Sequence, residues 1–280
     1  MSKFPKKPDR PELYRFKLQL TVGRGGTGTV YRALDPETGE TVALKLFRAN
    51  FFRNKLHLRD LQKSAKKFKK LSHPNLVKIH ELISGDEGEV LVQEFVDGPD
   101  LQWYLSKRPW NLHEMLVIIV QICNGLGYLH DQGLMHHDLK PGNVLFTRKG
   151  QAKLCDFSLG GTGLLTELFD AGRAEQITPM YVAPEVIQKK RATKLSDMYS
   201  LGAMMYLMFT RRLPFEVDSL PKLYHCHLHD KPLHPTIAHD KCPHYLGDVI
   251  MRLLEKDPKK RFQDCDLLRI SLSDIGRQRI

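Results

Sequence analysis

The sequence predicts an α+β chain with its strands gathered in the first third and its helices in the rest. Two observations carry this. Between residues 14 and 96, five short apolar runs are separated by turn residues, with one helical stretch among them. Beyond residue 97 the pattern changes to helical spacing, most clearly in the long apolar stretch 111–131. A chain of 280 residues, 41% hydrophobic and 27% charged, has ordinary globular composition and holds one large domain or two lobes.

Residues 1–13 read as a solvated basic arm. Met1 to Arg10 is charged and proline-bearing with no apolar core behind it, so no signal peptide is expected. Residues 14–21 alternate as a strand does and meet Gly23-Arg24-Gly25-Gly26-Thr27-Gly28-Thr29-Val30. Glycines there let the backbone approach phosphate and offer it N–H groups. A Rossmann turn shares the pattern, but its glycines open a long helix. Here residues 29–34 form a strand, 35–39 a turn and 41–47 another strand. A phosphate-covering loop and a plain Gly-rich hairpin both remain open on these residues alone.

Lys45 ends Val42-Ala43-Leu44-Lys45, where an edge lysine facing water is as reasonable as a functional one. Residues 51–71 form a helix ended by Ser72-His73-Pro74-Asn75. It carries Lys63, Lys66, Lys67 and Lys70 at helical spacing. That stripe reads as a solvated face, or as a docking site for an acidic or phosphorylated partner. It lacks the interleaved aromatics that nucleic acid would favour. Residues 76–83 and 89–96 form two further strands about a Gly85-Asp86-Glu87-Gly88 turn. Asp100 opens the helical half as a helix N-cap or a ligand-contacting acid.

Residues 134–146 hold one carboxylate, one cation and one amide between apolar runs: Asp138, Lys140 and Asn143 in His136-His137-Asp138-Leu139-Lys140-Pro141-Gly142-Asn143. A carboxylate can take a hydroxyl proton, a lysine can sit against phosphate, and an amide oxygen can bind Mg²⁺. The loop resembles the catalytic loop of eukaryotic-type Ser/Thr protein kinases, with His137 where that family usually has arginine. Lys153-Leu154-Cys155-Asp156-Phe157-Ser158 resembles the family's Asp-Phe-Gly. Thr178-Pro179-Met180-Tyr181-Val182-Ala183-Pro184-Glu185 resembles the end of its activation segment.

The resemblance covers about residues 14–270. It implies a two-lobed protein kinase-like fold, with an N-lobe (about 14–96) of five antiparallel strands and one helix. A mainly helical C-lobe (about 97–270) and a tail (271–280) follow. It implies ATP and Mg²⁺ as cofactors and a protein substrate phosphorylated on serine or threonine. Asp138, Lys140, Asn143 and Thr178 would be catalytic, and Asn143 and Asp156 would hold the metal. The nucleotide would meet Val22, Gly23, Arg24, Gly25, Gly26, Thr27, Gly28, Val30, Ala43 and Lys45. Glu94, Val96, Asp100 and Leu145 complete that set, with Gln93 guarding a rear pocket. Asp197 would cap the catalytic loop, and Arg261 would pair with Glu185.

Three departures stand out. Ser64 occupies the position of the helix glutamate that pairs with the strand lysine; Asp60 lies one turn earlier, and Asp156 is a further candidate partner. His137 replaces arginine, and Ser158 replaces glycine. They motivate an alternative: a pseudokinase that binds nucleotide or a partner without turnover. Small-molecule phosphotransferases of the aminoglycoside or choline type share a His-x-Asp loop but lack Ala183-Pro184-Glu185 and its arginine.

The net charge of +11 favours acidic partners without defining a site. The five cysteines are scattered and odd in number, which suits a reduced cytoplasmic protein better than a disulfide framework. Polar residues interrupt the apolar runs, so no membrane span is expected. The histidine-rich stretch 225–244 matches no standard zinc spacing, although His225 and His229 share a helix face. A helix surface and loop are expected there.

Overall fold

A computed structural model describes residues 7–48, 55–109, 111–156 and 178–277. The chain divides at Asp97/Gly98 into two compact units.

The first unit is a six-stranded antiparallel sheet. Its strands are β1 (Glu12–Leu13), β2 (Phe16–Arg24), β3 (Gly28–Leu34), β4 (Thr41–Phe47), β5 (Ile79–Gly85) and β6 (Gly88–Glu94), in the order β1-β2-β3-β4-β6-β5. One face packs Leu13, Phe16, Leu18, Tyr31, Ala33, Val42, Leu44, Val90 and Val92 into a core. Alternation along the strands puts these residues on one side and leaves Ala43 and Lys45 on the other. Helix α1 (Lys55–Phe68) buries Leu61, Ala65 and Phe68 at helical spacing and exposes Lys63, Lys66 and Lys67, with Lys70 exposed just beyond it.

The sheet corrects two expectations. It has a sixth strand, and residues 9–13 are not a solvated arm. Leu13 is fully buried, and the Leu18 amide donates to the Pro11 carbonyl at 2.9 Å. Arg10 pairs with Glu87. Residues 1–6 of the arm lie outside the described residues.

In the second unit, α2 (Leu101–Lys107) and α3 (Leu112–Asp131) precede the hairpin β7 (Val144–Phe146) and β8 (Ala152–Leu154). The helices α4 (Pro184–Ile187), α5 (Lys194–Thr210), α6 (Leu220–His229), α7 (Pro235–Ala238), α8 (His244–Leu253) and α9 (Cys265–Arg277) follow. α3 is long and apolar enough in composition to cross a membrane, contrary to expectation, but it buries Met115, Ile118, Ile119, Ile122, Leu126 and Leu129 in the protein interior. α5 and α8 approach so closely that a Cβ on Gly202 would meet Leu253 Cβ at 2.6 Å. α9 crosses position 270, so residues 271–277 continue a helix rather than begin a separate tail.

Candidate active site

The second unit brings Asp138, Lys140, Asn143 and Thr178 together. Lys140 Nζ lies 2.7 Å from Asp138 Oδ2 and donates to Thr178 Oγ1 at 2.6 Å. Thr178 Oγ1 lies 3.4 Å from Asp138 Oδ1. Asn143 Nδ2 donates to the Asp138 carbonyl at 2.8 Å and to Oδ2 at 3.0 Å. The asparagine nitrogen is thus committed to Asp138, and its amide oxygen is the atom suited to a cation.

The β7–β8 hairpin explains how Asn143 comes beside Asp156 across 13 residues of chain. Val144 pairs with Leu154, and the Cys155 amide donates to the Asn143 carbonyl at 3.0 Å. Asp156 follows at φ +56° and His137 precedes Asp138 at φ +66°. Left-handed backbone costs a non-glycine residue on the order of 1 kcal/mol, so the surrounding structure must hold both in place.

Asp197, in the first turn of α5, supplies that hold at His137. Its carboxylate accepts from the amides of His136 at 2.8 Å and His137 at 2.9 Å, and lies 2.9 Å from His130 Nε2. Burial works against this carboxylate. The bond to His130 and its charge outweigh burial and hold the Asp197 pKa below the usual range. Burial also opposes charge on His130, but Asp197 prevails and lifts its pKa to about 9. His136 and His137 are held neutral, their pKa values lowered by burial. His130 was not singled out from sequence, because its six-residue lead over His136 matches no motif.

A pH dependence follows. His130 has a folded pKa raised above its ordinary 6.5, so its contribution to stability is complete below that pH and is lost as pH rises through about 9. The loss is on the order of 3 kcal/mol. Chemical denaturation should therefore show falling stability across this window, and His130→Gln should flatten the fall. Equal slopes in both proteins would contradict the pairing.

In the first unit, the glycine loop joins β2 to β3 with a register irregularity between Thr21 and Gly23. The Gly25 amide donates to the Gly28 carbonyl at 2.9 Å. A Cβ on Gly28 would meet Leu46 O at 2.1 Å, so packing requires glycine there. A Cβ on Gly23 or Gly25 meets nothing within 4 Å, so protein packing does not explain those two. Val22 is exposed at the loop's start. Arg24 is held by Asp9 Oδ2 at 3.0 Å, and Asp9 Oδ1 accepts from Tyr31 Oη at 2.9 Å. That tie was not anticipated from the arm's sequence.

Lys45 is buried in β4, with Nζ 5.6 Å from the Phe47 ring centre, and stands opposite Val30 and Leu91. Ala43 is buried, Val30 half-buried and Ser64 half-buried on α1. The side chain of Asp60 lies outside the described residues, as do Phe157, Ser158 and the segment 160–177. Gln93 and Val96 are buried. The Glu94 amide donates to Lys78 O at 2.8 Å, so that N–H is not available to a base. Asp100 caps α2, accepting from the Trp103 amide at 2.6 Å. It also bridges to Leu145 through the backbone, which sets α2 against β7.

Arg261 is fully buried and clamps Glu185 through two 2.8 Å bonds. Ser196 Oγ adds a bond to Glu185 Oε1 at 2.7 Å. This joins the end of the Thr178 segment to α5 and to the 258–262 turn.

Residues 16–271 match the protein kinase domain model. The chain belongs to the protein kinase domain family. Among relatives of this kinase domain, the serine/threonine-protein kinase PkaA of Streptomyces coelicolor is 33% identical over 95% of the chain and 52% of its own length. A probable serine/threonine-protein kinase PknB of Lactococcus lactis is 30% identical over 90% of the chain and 40% of its own length. The kinase domain thus spans about half or less of these relatives. The PknI kinase domain of Mycobacterium tuberculosis shares the fold, with a TM-score of 0.76 at 21% identity over 94% of this chain and 97% of that one. Rad53 1-466 in complex with AMP-PNP is 27% identical over 91% of this chain and 64% of that one, with a TM-score of 0.75.

Proposed function

We propose that this kinase domain transfers the γ-phosphoryl group of ATP to serine and threonine hydroxyls of protein substrates. The observation that carries the reading is the cluster in which Lys140, Thr178 and Asn143 each lie within hydrogen-bonding distance of the Asp138 carboxylate. The relatives named as serine/threonine-protein kinases support it.

In the mechanism, Asp138 orients the substrate hydroxyl and accepts its proton. Lys140 steadies the γ-phosphate, and Thr178 fixes both Asp138 and Lys140. Lys45 meets the α- and β-phosphates, and the open space at Gly23 and Gly25 lets phosphate approach the loop backbone closely. The amide oxygen of Asn143 and the carboxylate of Asp156 are hard oxygen donors of the kind Mg²⁺ takes. When bound, Mg²⁺ neutralises phosphate charge. The protein contributes mainly positioning and charge.

The test is Mg²⁺-dependent transfer from γ-labelled ATP to basic and acidic protein substrates, followed by phosphoamino-acid analysis. Phosphoserine or phosphothreonine is the expected product. Phosphotyrosine alone, or nucleotide binding without transfer, would overturn the reading; the second outcome would identify a pseudokinase.

His137 sets the expected regulation. A histidine held neutral by burial offers no charged fork to a phosphorylated activation segment. Phosphatase treatment is therefore expected to leave the transfer rate within about twofold. A loss restored by autophosphorylation at Thr162 or Thr166, both outside the described residues, would contradict it. The exposed lysines of α1 support an acidic or phosphorylated docking partner. Five buried free thiols support a reducing, cytoplasmic setting.

A further inference from the structure

His234, His244 and Asp248 converge where α7 meets α8. His234 is the N-cap of α7, while His244 and Asp248 lie one turn apart on α8. His234 Nε2 lies 3.3 Å from Asp248 Oδ1, and His244 Nδ1 lies 3.1 Å from Asp248 Oδ2. The two imidazole centres are 4.8 Å apart. One potential ligand atom from each residue falls within a 4.8 Å span.

We propose that these three side chains form a zinc site. A tetrahedral zinc ion with bonds of about 2.0–2.1 Å sets its ligand atoms about 3.3 Å apart. Each nitrogen already stands at about that spacing from one Asp248 oxygen, His234 Nε2 from Oδ1 at 3.3 Å and His244 Nδ1 from Oδ2 at 3.1 Å. The third separation closes by turning His244, whose side chain is 78% exposed. Two imidazoles and a carboxylate suit zinc, whereas Mg²⁺ prefers oxygen alone. The nucleotide's magnesium therefore does not compete strongly here.

The surroundings hold His234 ready. Its ring lies on α8 at Gly247, where a Cβ would meet the ring's Cε1 at 2.3 Å, so glycine makes the approach possible. Its Nδ1 is 2.7 Å from Thr236 Oγ1 and accepts from the Thr236 amide at 3.4 Å. Binding an ion at Nε2 moves the ring proton to Nδ1, which then donates to that hydroxyl in place of the long amide bond, the usual outer support for a metal-bound histidine. Asp248 is 63% exposed, which leaves a fourth position for water. The ion would tie the start of α7 to the first turn of α8 across the 239–243 loop. The chain separation from His234 to His244, and the position of Asp248 beyond the histidine-rich stretch, explain why no zinc spacing was legible.

The whole chain is titrated with zinc against a chromophoric chelator in Mg²⁺-containing buffer. One saturable equivalent is expected. His244→Gln and Asp248→Asn should each weaken it at least about tenfold. Both positions are exposed, and unchanged melting without metal would show that the variants fold. The adjacent His225 and His229, with rings 4.8 Å apart, are the internal control. Their glutamine variants should bind as the parent does. No saturable binding, binding insensitive to His244 and Asp248, or loss on changing His225 and His229 instead would overturn the site.

Discussion

Replacing Asp138 with asparagine is expected to slow phosphoryl transfer about 10²–10⁴-fold, the range for losing a general base. ATP affinity should stay within about twofold, since the lost interaction belongs to the transition state. The substitution preserves side-chain size. It leaves the 2.8 Å bond from Asn143 to the Asp138 carbonyl untouched, because that bond uses the backbone. It removes the carboxylate charge 2.7 Å from Lys140 Nζ and with it the group proposed to accept the substrate proton. Both side chains are partly exposed, so folding stability should change little, by less than about 1 kcal/mol. Single-turnover transfer with labelled ATP, alongside a nucleotide-binding titration, separates the two effects. Transfer at the parental rate would remove Asp138 from the mechanism.

The second large effect is on stability. Arg261→Ala should destabilise the fold by about 3–5 kcal/mol, because Glu185 would remain buried without its partner. Arg261 holds both carboxylate oxygens at 2.8 Å and also donates to the carbonyls of Leu195 at 2.6 Å and Glu255 at 2.8 Å. Its guanidinium lies 4.9 Å from the centre of the Tyr199 ring. Burial opposes the Glu185 charge, but Arg261 and Ser196 keep its pKa below the ordinary value. Arg261→Lys should recover only part of the loss, because an ammonium cannot reproduce the fork. A cost below about 1 kcal/mol in denaturant unfolding would contradict a structural role for the pair.

The contrast between these residues explains what was legible in the sequence. Asp138, Lys140, Asn143 and Thr178 were legible because fixed chain spacings place their side chains, and those spacings recur as a motif. The sheet's main strands were legible through alternation. β1 was not, since two residues have no period. The apolar Leu76 and Val77 suggest strand, but they are buried just after the turn at Pro74 and Asn75, which the Leu76 amide closes on the His73 carbonyl, and β5 begins only at Ile79. Side-chain ties between distant positions were equally hidden. His130 with Asp197 and Asp9 with Arg24 depend on tertiary proximity that no local pattern encodes. Asp100 was open between two roles in the sequence, and its bond to the Trp103 amide accounts for it as an N-cap.

Of the three departures from the family pattern, Ser64 and His137 are not among the groups proposed to touch phosphate and metal, and Ser158 lies outside the described residues. Ser64 is half-buried on α1, and His137 is neutral in the loop that Asp197 holds. Asp138 and Asn143 retain their mutual bonds, and Asp156 retains its carboxylate.

The most direct measurement is transfer of labelled phosphate from ATP in the presence of Mg²⁺, comparing the parent chain with Asp156→Ala. An active kinase should label protein substrate on serine or threonine, and the variant should lose at least about 10²-fold of that rate. A parent chain that binds ATP but labels no substrate above the variant's level would contradict catalysis and leave a nucleotide-binding module.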